Sequence, residues 1–541
     1  MPVAVSYPGV YIEEIPSGVR TITGVATSIT AFLGRALSGP VDVPVTINSF
    51  GDFERSFGKL HPDYPLSYAV RDFYQNGGAQ AVIVRLYKLT PDPAPASPPN
   101  MRPARATIRI ARLDLQAASE GTWGNNLRAR IDSAVSADVA ARMGLTAADL
   151  FNLTVRDMAT GTTERIVNLT VKESPRRADR VLAIESSLVR VAKTVTLPGT
   201  QVPSAHPAPA AGKTIFEDDA ASTKVATADL AVDSAPLDAT AYLGDANAKT
   251  GMNALQKTDL FNLLCIPADT RAGDTPIPVW QGALTFCVQR RAMLIIDAPA
   301  AWQGAGTVTA NNNKALTDLG ISGDAARNAA LYFPRVIASD PNRQGQLDTF
   351  VPCGCVAGVM ARTDAQRGIW KAPAGIDAAV NGTQGLAVSL TNEENGLLNP
   401  LGVNCLRTFP IIGSIVWGAR TLRGADLLAD EYKYIPVRRL ALYIEESLFR
   451  GTQWVVFEPN DEPLWSQIRL NVGAFMQNLF RQGAFQGTTP SAAYFVKCDK
   501  ETTTQDDVNR GVVNVVVGFA PLKPAEFVII KIQQMAGQLA A

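Results

Sequence analysis

The chain has 541 residues, which is too long for one ordinary domain, so two to four domains are expected. Its 50 basic and 50 acidic residues cancel, which argues against direct nucleic-acid binding, because that partner is a dense line of phosphates. We find neither an apolar run of roughly 20 residues that could span a bilayer nor a secretory signal pattern. A soluble cytoplasmic product without membrane insertion is therefore expected.

The first element is an extended segment, Tyr7-Pro-Gly-Val-Tyr-Ile-Glu-Glu14. Pro8 and Gly9 exclude a helix, and alternation places Val10 and Ile12 on one side of a strand, with Tyr11 and Glu13 on the other. No hairpin partner is evident nearby. An unpaired strand exposes backbone N–H and C=O groups, so it either pairs elsewhere in its own chain or is completed by another chain.

The region after this segment alternates strands and a helix. Thr30–Leu33 and Val43–Ile47 are short apolar strands, and Ala81–Leu86 is a third. Between the second and third strands, apolar residues recur at helical spacing from Leu66 to Phe73, and Gly77-Gly78 ends that helix. A strand, helix, strand order predicts a mostly parallel sheet.

Two proline-rich stretches, residues 91–99 and 197–209, then interrupt the chain and have the composition of exposed linkers. Between them, alternation predicts a hairpin in which one set of apolar residues faces another. The two sets are Phe151, Leu153, Val155 and Val167, Leu169, Val171. We interpret this part as an inserted domain.

The core resumes near residue 255. Leu260–Ile266, Ala292–Ile296 and Ala329–Val336 are continuous apolar runs, which are typical of buried parallel strands. The predicted fold is a multidomain mixed α/β protein: a parallel-sheet core, an inserted β-rich domain and extended terminal arms. The expected domains are an arm (1–22), a core (23–90 plus 255–405), the insertion (91–254), a carboxy-terminal domain (406–510) and terminal strands with an arm (511–541).

The last section combines two amphipathic helices with β-prone segments. Val437 to Leu448 and Trp465 to Leu479 each carry an apolar stripe. Val512–Val517 and Phe527–Ile532 are rich in β-branched residues, and Pro521 and Pro524 lie between them. The first helix also carries Arg438, Arg439, Glu445 and Glu446, which form either a solvated face or a charge-matched docking surface.

Few residues point to catalysis. The chain has two histidines, His61 and His206, and lacks the common phosphate-loop, dinucleotide, zinc-protease and serine-hydrolase motifs. Cys353-Gly-Cys355 has no second ligand pair at a zinc spacing and is interpreted as small packing residues in a turn. Asp297 follows an apolar strand, where α/β folds place functional carboxylates, but it lacks partners and is interpreted as a turn or capping residue.

We therefore predict no enzyme activity, no cofactor and no metal. The alternative is an α/β enzyme whose site lies unrecognised in residues 255–400. The six cysteines are expected to be mostly buried thiols, with disulfides between copies as the alternative in an oxidising exterior.

Many ordered segments resemble the contractile tail sheath proteins of phages and of phage-tail-like injection particles. Near the start these are Tyr7–Glu14, Thr30–Gly34 and Ala69–Gly78, and the insertion adds Gly121-Thr-Trp-Gly-Asn125. The most specific is Val356-Ala-Gly-Val-Met-Ala-Arg-Thr-Asp-Ala-Gln-Arg-Gly-Ile-Trp-Lys-Ala-Pro-Ala-Gly375. The others are Asn404–Arg407, Val416–Leu422, Val437–Leu440, Val456–Asn460 and Gly518–Phe527. Residues 91–255 match poorly outside the W-G-N element and one hairpin.

The resemblance implies a structural subunit that polymerises helically around an inner tube. The sheath would contract from a metastable extended state and drive the tube through a target cell envelope. Its other partners would be baseplate and tail terminator proteins, and its place the tail of a virion or similar particle after synthesis in the bacterial cytoplasm. The nearer alternative is a static tail or baseplate component.

The resemblance also assigns residue roles. Strands donated between subunits would contain Val10, Tyr11, Ile12, Glu13, Val513, Val515, Val517, Val528, Ile530 and Ile532. The carboxy-terminal domain would face the tube, with Arg438, Arg439, Glu445 and Glu446 as docking residues, and the insertion would point outward. The arms would flex near Ile15–Gly18 and Thr504–Asp507.

Overall fold

The computed structural model describes residues 20–92, 101–192 and 202–531. It begins with short apolar strands whose side chains alternate between the faces of a sheet, so that Phe32 points to one side and Ala31 and Leu33 to the other. The Ser49 side chain caps the first helix, and Pro65 occupies the first turn of the second. The elements here are β1 (Thr30–Gly34), β2 (Val45–Ile47), α1 (Phe50–Phe57), α2 (Pro65–Gln75) and β3 (Ala81–Arg85).

The insertion follows and is mainly antiparallel. Its elements are β4 (Thr107–Ile110), β5 (Leu113–Ala117), β6 (Leu127–Asp132), α3 (Ala137–Arg142), β7 (Leu150–Asp157), β8 (Thr163–Thr170), α4 (Ala178–Glu185), β9 (Val189–Val191), β10 (Thr223–Lys224) and α5 (Ala239–Leu243). The strands form one sheet in the order β10-β6-β7-β8 and another in the order β4-β5-β9.

The predicted hairpin is β7–β8, and Phe151 pairs with Leu169 as expected. A register shift between Phe151 and Leu153 then brings Ile166 opposite Leu153. Val167 consequently points outward and is exposed, so its predicted inward position was wrong. The extra residue of an irregular pair is not visible in an alternating pattern.

The chain leaves the core and returns to it through one narrow neck. The departing residue Lys88 accepts a hydrogen bond from Ala235 N (3.0 Å), and its own N–H donates to the Ser234 hydroxyl (2.9 Å). The Tyr87 hydroxyl donates to Val232 O (2.9 Å). The two segments that join the insertion to the core therefore lie side by side.

The core continues with twelve further elements. They are β11 (Leu263–Cys265), α6 (Ile277–Gln289), β12 (Met293–Asp297), α7 (Ala305–Thr317, with non-helical backbone at 310–313), β13 (Ala329–Phe333), β14 (Val336–Asp340), β15 (Gln346–Phe350), α8 (Cys353–Arg367), β16 (Gly385–Leu386), α9 (Asn392–Leu398), β17 (Val403–Phe409) and β18 (Gly413–Val416).

The main sheet has eight strands in the order β18-β17-β13-β12-β11-β1-β3-β2. Its neighbours are parallel except at the two edges, where β2 and β18 are antiparallel. The prediction of a mixed α/β fold with a parallel sheet is confirmed. The core extends beyond its predicted end at residue 405, which falls inside β17.

Helices cover both faces of this sheet. On one face, α2 and α8 cross so closely that a Cβ at Gly354 would lie 2.0 Å from Ala69 O. Cys353-Gly-Cys355 is thus the start of a packed helix rather than a turn, and it is a packing element, as expected. Trp280 and Phe286 of α6 are buried on the opposite face.

Asp297 ends β12 in a fully buried position. Its Oδ1 accepts a hydrogen bond from Cys353 N (2.9 Å) at the start of α8, and its Oδ2 has no hydrogen-bond partner among the described residues. Burial raises the pKa of Asp297 to about 7, because its interaction with Cys353 and the charge of Arg335 offset only part of the desolvation. Asp297 therefore caps a helix from a neighbouring element.

The remaining elements are α10 (Ile435–Gly451), α11 (Glu462–Arg481), α12 (Pro490–Ala493), β19 (Tyr494–Lys497), α13 (Gln505–Asn509) and β20 (Val516–Phe519). The two predicted apolar stripes meet in one cluster that contains Leu440, Ile444, Trp465, Ile468 and Phe475. The Asp461 side chain caps the start of α11 by accepting a hydrogen bond from Leu464 N.

We predict that Asp297→Asn removes a pH dependence of stability. The folded pKa of Asp297 lies above its unfolded value, so the contribution of Asp297 to wild-type stability falls as pH rises from about 4 to 7 and then levels off, with a limiting slope of about 1.4 kcal/mol per pH unit. Urea midpoints at pH 5, 6, 7 and 8 measure this slope. Asp324→Asn, at an exposed carboxyl, should keep it; an unchanged slope in Asp297→Asn would contradict the prediction.

Candidate assembly surfaces

The carboxy-terminal domain contains a sheet of only two strands. β19 and β20 are antiparallel, with Tyr494 opposite Phe519 and Lys497 opposite Val516. The outer edge of each strand is unpaired within the described ranges. An isolated two-stranded sheet is marginal by itself, and here Val496 and Val517 pack against the helical cluster beneath. Both edges offer backbone groups to a further strand.

The structure changes the interpretation of Val512–Val517, the first β-prone segment of the carboxy-terminal section. Val517 lies in β20 and pairs with Val496 of its own chain, whereas Val513 and Val515 precede the strand. Val517 is therefore paired within its own chain, although the resemblance implied that it belongs to a strand donated between subunits. The expected flexible root at Thr504–Asp507 is instead the capped start of α13, where Thr504 and Asp507 form a capping box.

The second β-prone segment, which begins at Phe527, is not paired in the described structure. Phe527, Val528, Ile529 and Ile530 are 74–82% exposed and are not part of a strand. Four consecutive large apolar side chains in this state constitute an uncovered surface that favours association. Val10–Glu13 and Ile532 lie outside the described residues. The linkage role of all ten predicted arm residues stays a prediction.

A buried ion pair holds the tail just before these residues. Arg420 is 0% exposed and binds Glu526 with two bonds: its Nε donates to Oε1 (2.8 Å) and its Nη2 to Oε2 (2.6 Å). The Tyr434 hydroxyl also donates to Glu526 Oε2 (3.0 Å). Burial would raise the pKa of Glu526, but these bonds and the charge of Arg420 outweigh it and hold the pKa below its usual value.

A groove of about 980 Å³ lies beside this pair. It is lined by parts of three segments that carry the family resemblance: 367–375, 417–419 and 522–527. These segments are far apart in sequence and meet only through the fold. Nothing in the linear pattern indicated that Glu526 would pair with Arg420.

The four charged residues of α10 do not form one solvated face. Arg439 is buried and pairs with Asp364 (2.6 Å), while Glu446 is buried and pairs with Arg291 (2.9 Å) and Arg450 (2.7 Å). The predicted exposure of these two residues was wrong, because α10 packs against the core as well as against α11. Arg438 donates to Asn328 Oδ1, and only Glu445 is substantially exposed.

Other functional signals are weak. All six cysteines are buried free thiols, as expected for most of them. In the described part of the chain, His, Cys, Asp and Glu side chains form no group of three or more that could hold a metal ion. Among the same residues, every helix is too short or too polar to cross a membrane.

Comparison with known proteins identifies two family models. The phage tail sheath protein central domain matches residues 241–422, and the phage tail sheath C-terminal domain matches residues 429–535. Together they cover more than half of the chain. The Burkholderia phage BcepMu tail sheath protein is 23% identical over 495 residues, which cover 88% of this chain and 87% of that protein. The Vibrio phage KVP40 tail sheath protein is 25% identical over 178 residues, or 33% of this chain and 25% of that protein.

Solved structures share the fold. The PVC sheath complex of an extracellular contractile injection system, in its contracted state, has a TM-score of 0.56 at 20% identity and covers 98% of both chains. The sheath tail protein from Listeria innocua has a TM-score of 0.57 at 14% identity, covering 92% of this chain and 96% of that one.

The chain belongs to the family of contractile phage tail sheath proteins. It is a structural subunit of a contractile sheath, an assembly of many copies, in the tail of a phage or phage-tail-like particle.

We predict that Arg439→Ala destabilises the folded subunit by about 3–5 kcal/mol, because it leaves the buried Asp364 carboxylate without its cation. Chemical denaturation of the purified subunit measures this. Glu445→Gln on the same helix should stay within about 0.5 kcal/mol of wild type. Equal effects of the two substitutions would contradict the burial of Arg439.

Proposed function

We propose that this subunit polymerises helically around an inner tube and contracts from a metastable extended state, driving the tube through a target cell envelope. The observation that carries this proposal is the two-stranded sheet with two open edges beside an exposed apolar tail. A contact between unlike surfaces of identical copies propagates into a helix. An arm that enters an edge of a neighbouring copy is such a contact.

Strand addition suits a lattice that must rearrange without coming apart. Main-chain hydrogen bonds hold an added strand, and alternate side chains fix its register. The linkage between copies then resides in the arms, so that the bodies can move relative to one another. The donated strands are the segment with Val10, Tyr11, Ile12 and Glu13 and the tail with Val528, Ile530 and Ile532.

Contraction needs no bound nucleotide in this scheme. The extended sheath is kinetically trapped, and the contracted lattice buries more complementary surface, so stored conformational free energy performs the work. Each body moves nearly rigidly, which its continuous core clusters support. Flexing is confined to the roots of the arms.

The carboxy-terminal domain faces the tube in this proposal, and the insertion faces outward. Glu445 is the most accessible of the four predicted docking residues, and Arg438 adjoins it (3.2 Å). Arg439 and Glu446 contribute by holding α10 in place. Baseplate and tail terminator proteins contact the sheath ends, and the subunit acts without enzyme activity, cofactor or nucleic acid.

Replacing Val10 and Ile12 together with proline should abolish polymerisation while leaving the subunit folded, because proline has no N–H for strand pairing. Electron microscopy counts the sheaths, and circular dichroism checks folding. Threonine at the same two positions keeps both N–H groups and serves as the matched control. Normal sheaths from the proline variant would refute the assignment of this arm.

Mixing the subunit with a tube protein should give sheaths of two lengths and diameters, since a contractile sheath has two states and a static component one.

We expect Glu445→Lys to reduce assembly on the tube most strongly at low salt. Glu217→Lys, an exposed carboxyl in the insertion, is the control. Equal sheath yields for both variants at every salt concentration would remove Glu445 from the docking surface.

A further inference from the structure

The carboxy-terminal tail begins close to a sheet that it could complete by itself. β20 ends at Phe519, and residues 520–526 lead to the exposed apolar residues Phe527–Ile530. A connection of this length suffices for a hairpin. Within the described residues, the outer edge of β20 is free.

Self-completion would compete with linkage between copies. A segment tethered by a short connection has an effective concentration on the order of millimolar at a neighbouring site of its own chain. A tail that closed onto its own sheet would satisfy the open edge and leave nothing to donate. A subunit that links by strand exchange therefore needs a feature that disfavours closure.

The geometry of residues 520–526 supplies one. Ala520 N donates to Ala493 O (2.8 Å), and Pro521 forms a bridge with Phe485, so the chain is fixed where it leaves β20. Glu526 is then fixed on the core by Arg420 and Tyr434. With both ends held, this connection lines the groove that it forms with residues 367–375 and 417–419 of the core, so it is not free to fold into a turn.

We propose that the Arg420–Glu526 ion pair is a latch that keeps the tail away from its own β19–β20 sheet and presents Phe527–Ile530 to the sheet of a second copy. This inference rests on the proposed strand exchange and adds the reason why exchange prevails over closure. It also places the root of the carboxy-terminal arm at Glu526 instead of at Thr504–Asp507.

The latch is suited to this role because its cation is fixed independently of the tail. Arg420 Nη1 donates to Asn399 O (3.0 Å) and Asp426 Oδ1 (2.9 Å). The guanidinium therefore stays oriented, and Glu526 is the member that can leave. Lys523 lies in the same tail segment and lines the groove, but it makes no part of the ion pair.

Thiol cross-linking separates closure from exchange. Val528→Cys and Phe495→Cys lie at exposed positions of the tail and of β19, whereas the six natural cysteines are buried. The double variant, diluted and treated with a short bismaleimide, reports links within one chain. A mixture of the two single variants reports links between chains, and mass spectrometry of the linked peptides distinguishes the two kinds.

In the parent background we expect links between chains to predominate. Glu526→Ala should raise the ratio of links within a chain to links between chains about tenfold, given the strength of paired charge-assisted hydrogen bonds. Tyr434→Phe, which removes one contact and spares Arg420, should give a smaller rise and keeps the test valid if Glu526→Ala folds poorly. Lys523→Ala should leave the ratio unchanged.

Two outcomes overturn the proposal in distinguishable ways. If links between chains form but their ratio is the same with and without Glu526, the latch is wrong and strand exchange stands. If sheaths assemble while the parent gives no link between chains, strand exchange by this tail fails, and the latch fails with it.

Discussion

Leaving the backbone groups of a strand edge without partners costs free energy, and the proposed assembly depends on this constraint. Backbone N–H and C=O groups at an edge need partners, and β19–β20 presents two edges beside a tail with uncovered apolar side chains. Each subunit thus carries both an open sheet edge, which can accept a strand, and an exposed tail, which can be donated as one. The proposed strand exchange between identical copies would satisfy both.

The core provides what the arms cannot, namely rigidity. The eight-stranded sheet is covered by helices on both faces, and the close crossing of α2 and α8 at Gly354 leaves no room to slide. At the carboxyl end of β12, where α/β enzymes bind ligands, Asp297 instead caps the buried start of α8. The carboxyl end of β12, where other α/β proteins bind ligands, is here occupied by the packed start of α8.

Much of the fold followed from periodicity. The apolar runs at 30–33, 81–86 and 292–296 predicted strands that the structure contains, and the stripes from Leu440 and Trp465 predicted helices that pack together. The pairing of Val517 with Val496 was missed because α13 lies between the two strands, and a pattern search finds only adjacent partners.

The charged residues were harder to interpret from sequence. Arg439 sits on a helix that packs on two sides, so its burial depends on Asp364, far away in the chain. The pairing of Arg420 with Glu526 likewise arises from tertiary contact across 106 positions. The spacing of charged residues along the sequence does not show which of them pair in the folded chain. The candidate assembly surfaces depend on that pairing.

The narrow neck of the insertion, where Lys88 lies beside Ser234 and Ala235, has a consequence for how such particles diversify. The inserted unit is joined to the body by adjacent ends and contacts it again where Gly39 N donates to the Ser119 hydroxyl and Arg85 donates to Glu120 O. The part of the insertion beyond these contacts can therefore vary in size and chemistry while the strand order beneath is preserved. A foreign module with closely spaced termini could replace it and be displayed once per copy. In the proposed orientation, the outer surface of the sheath could then change while the core sheet stays the same.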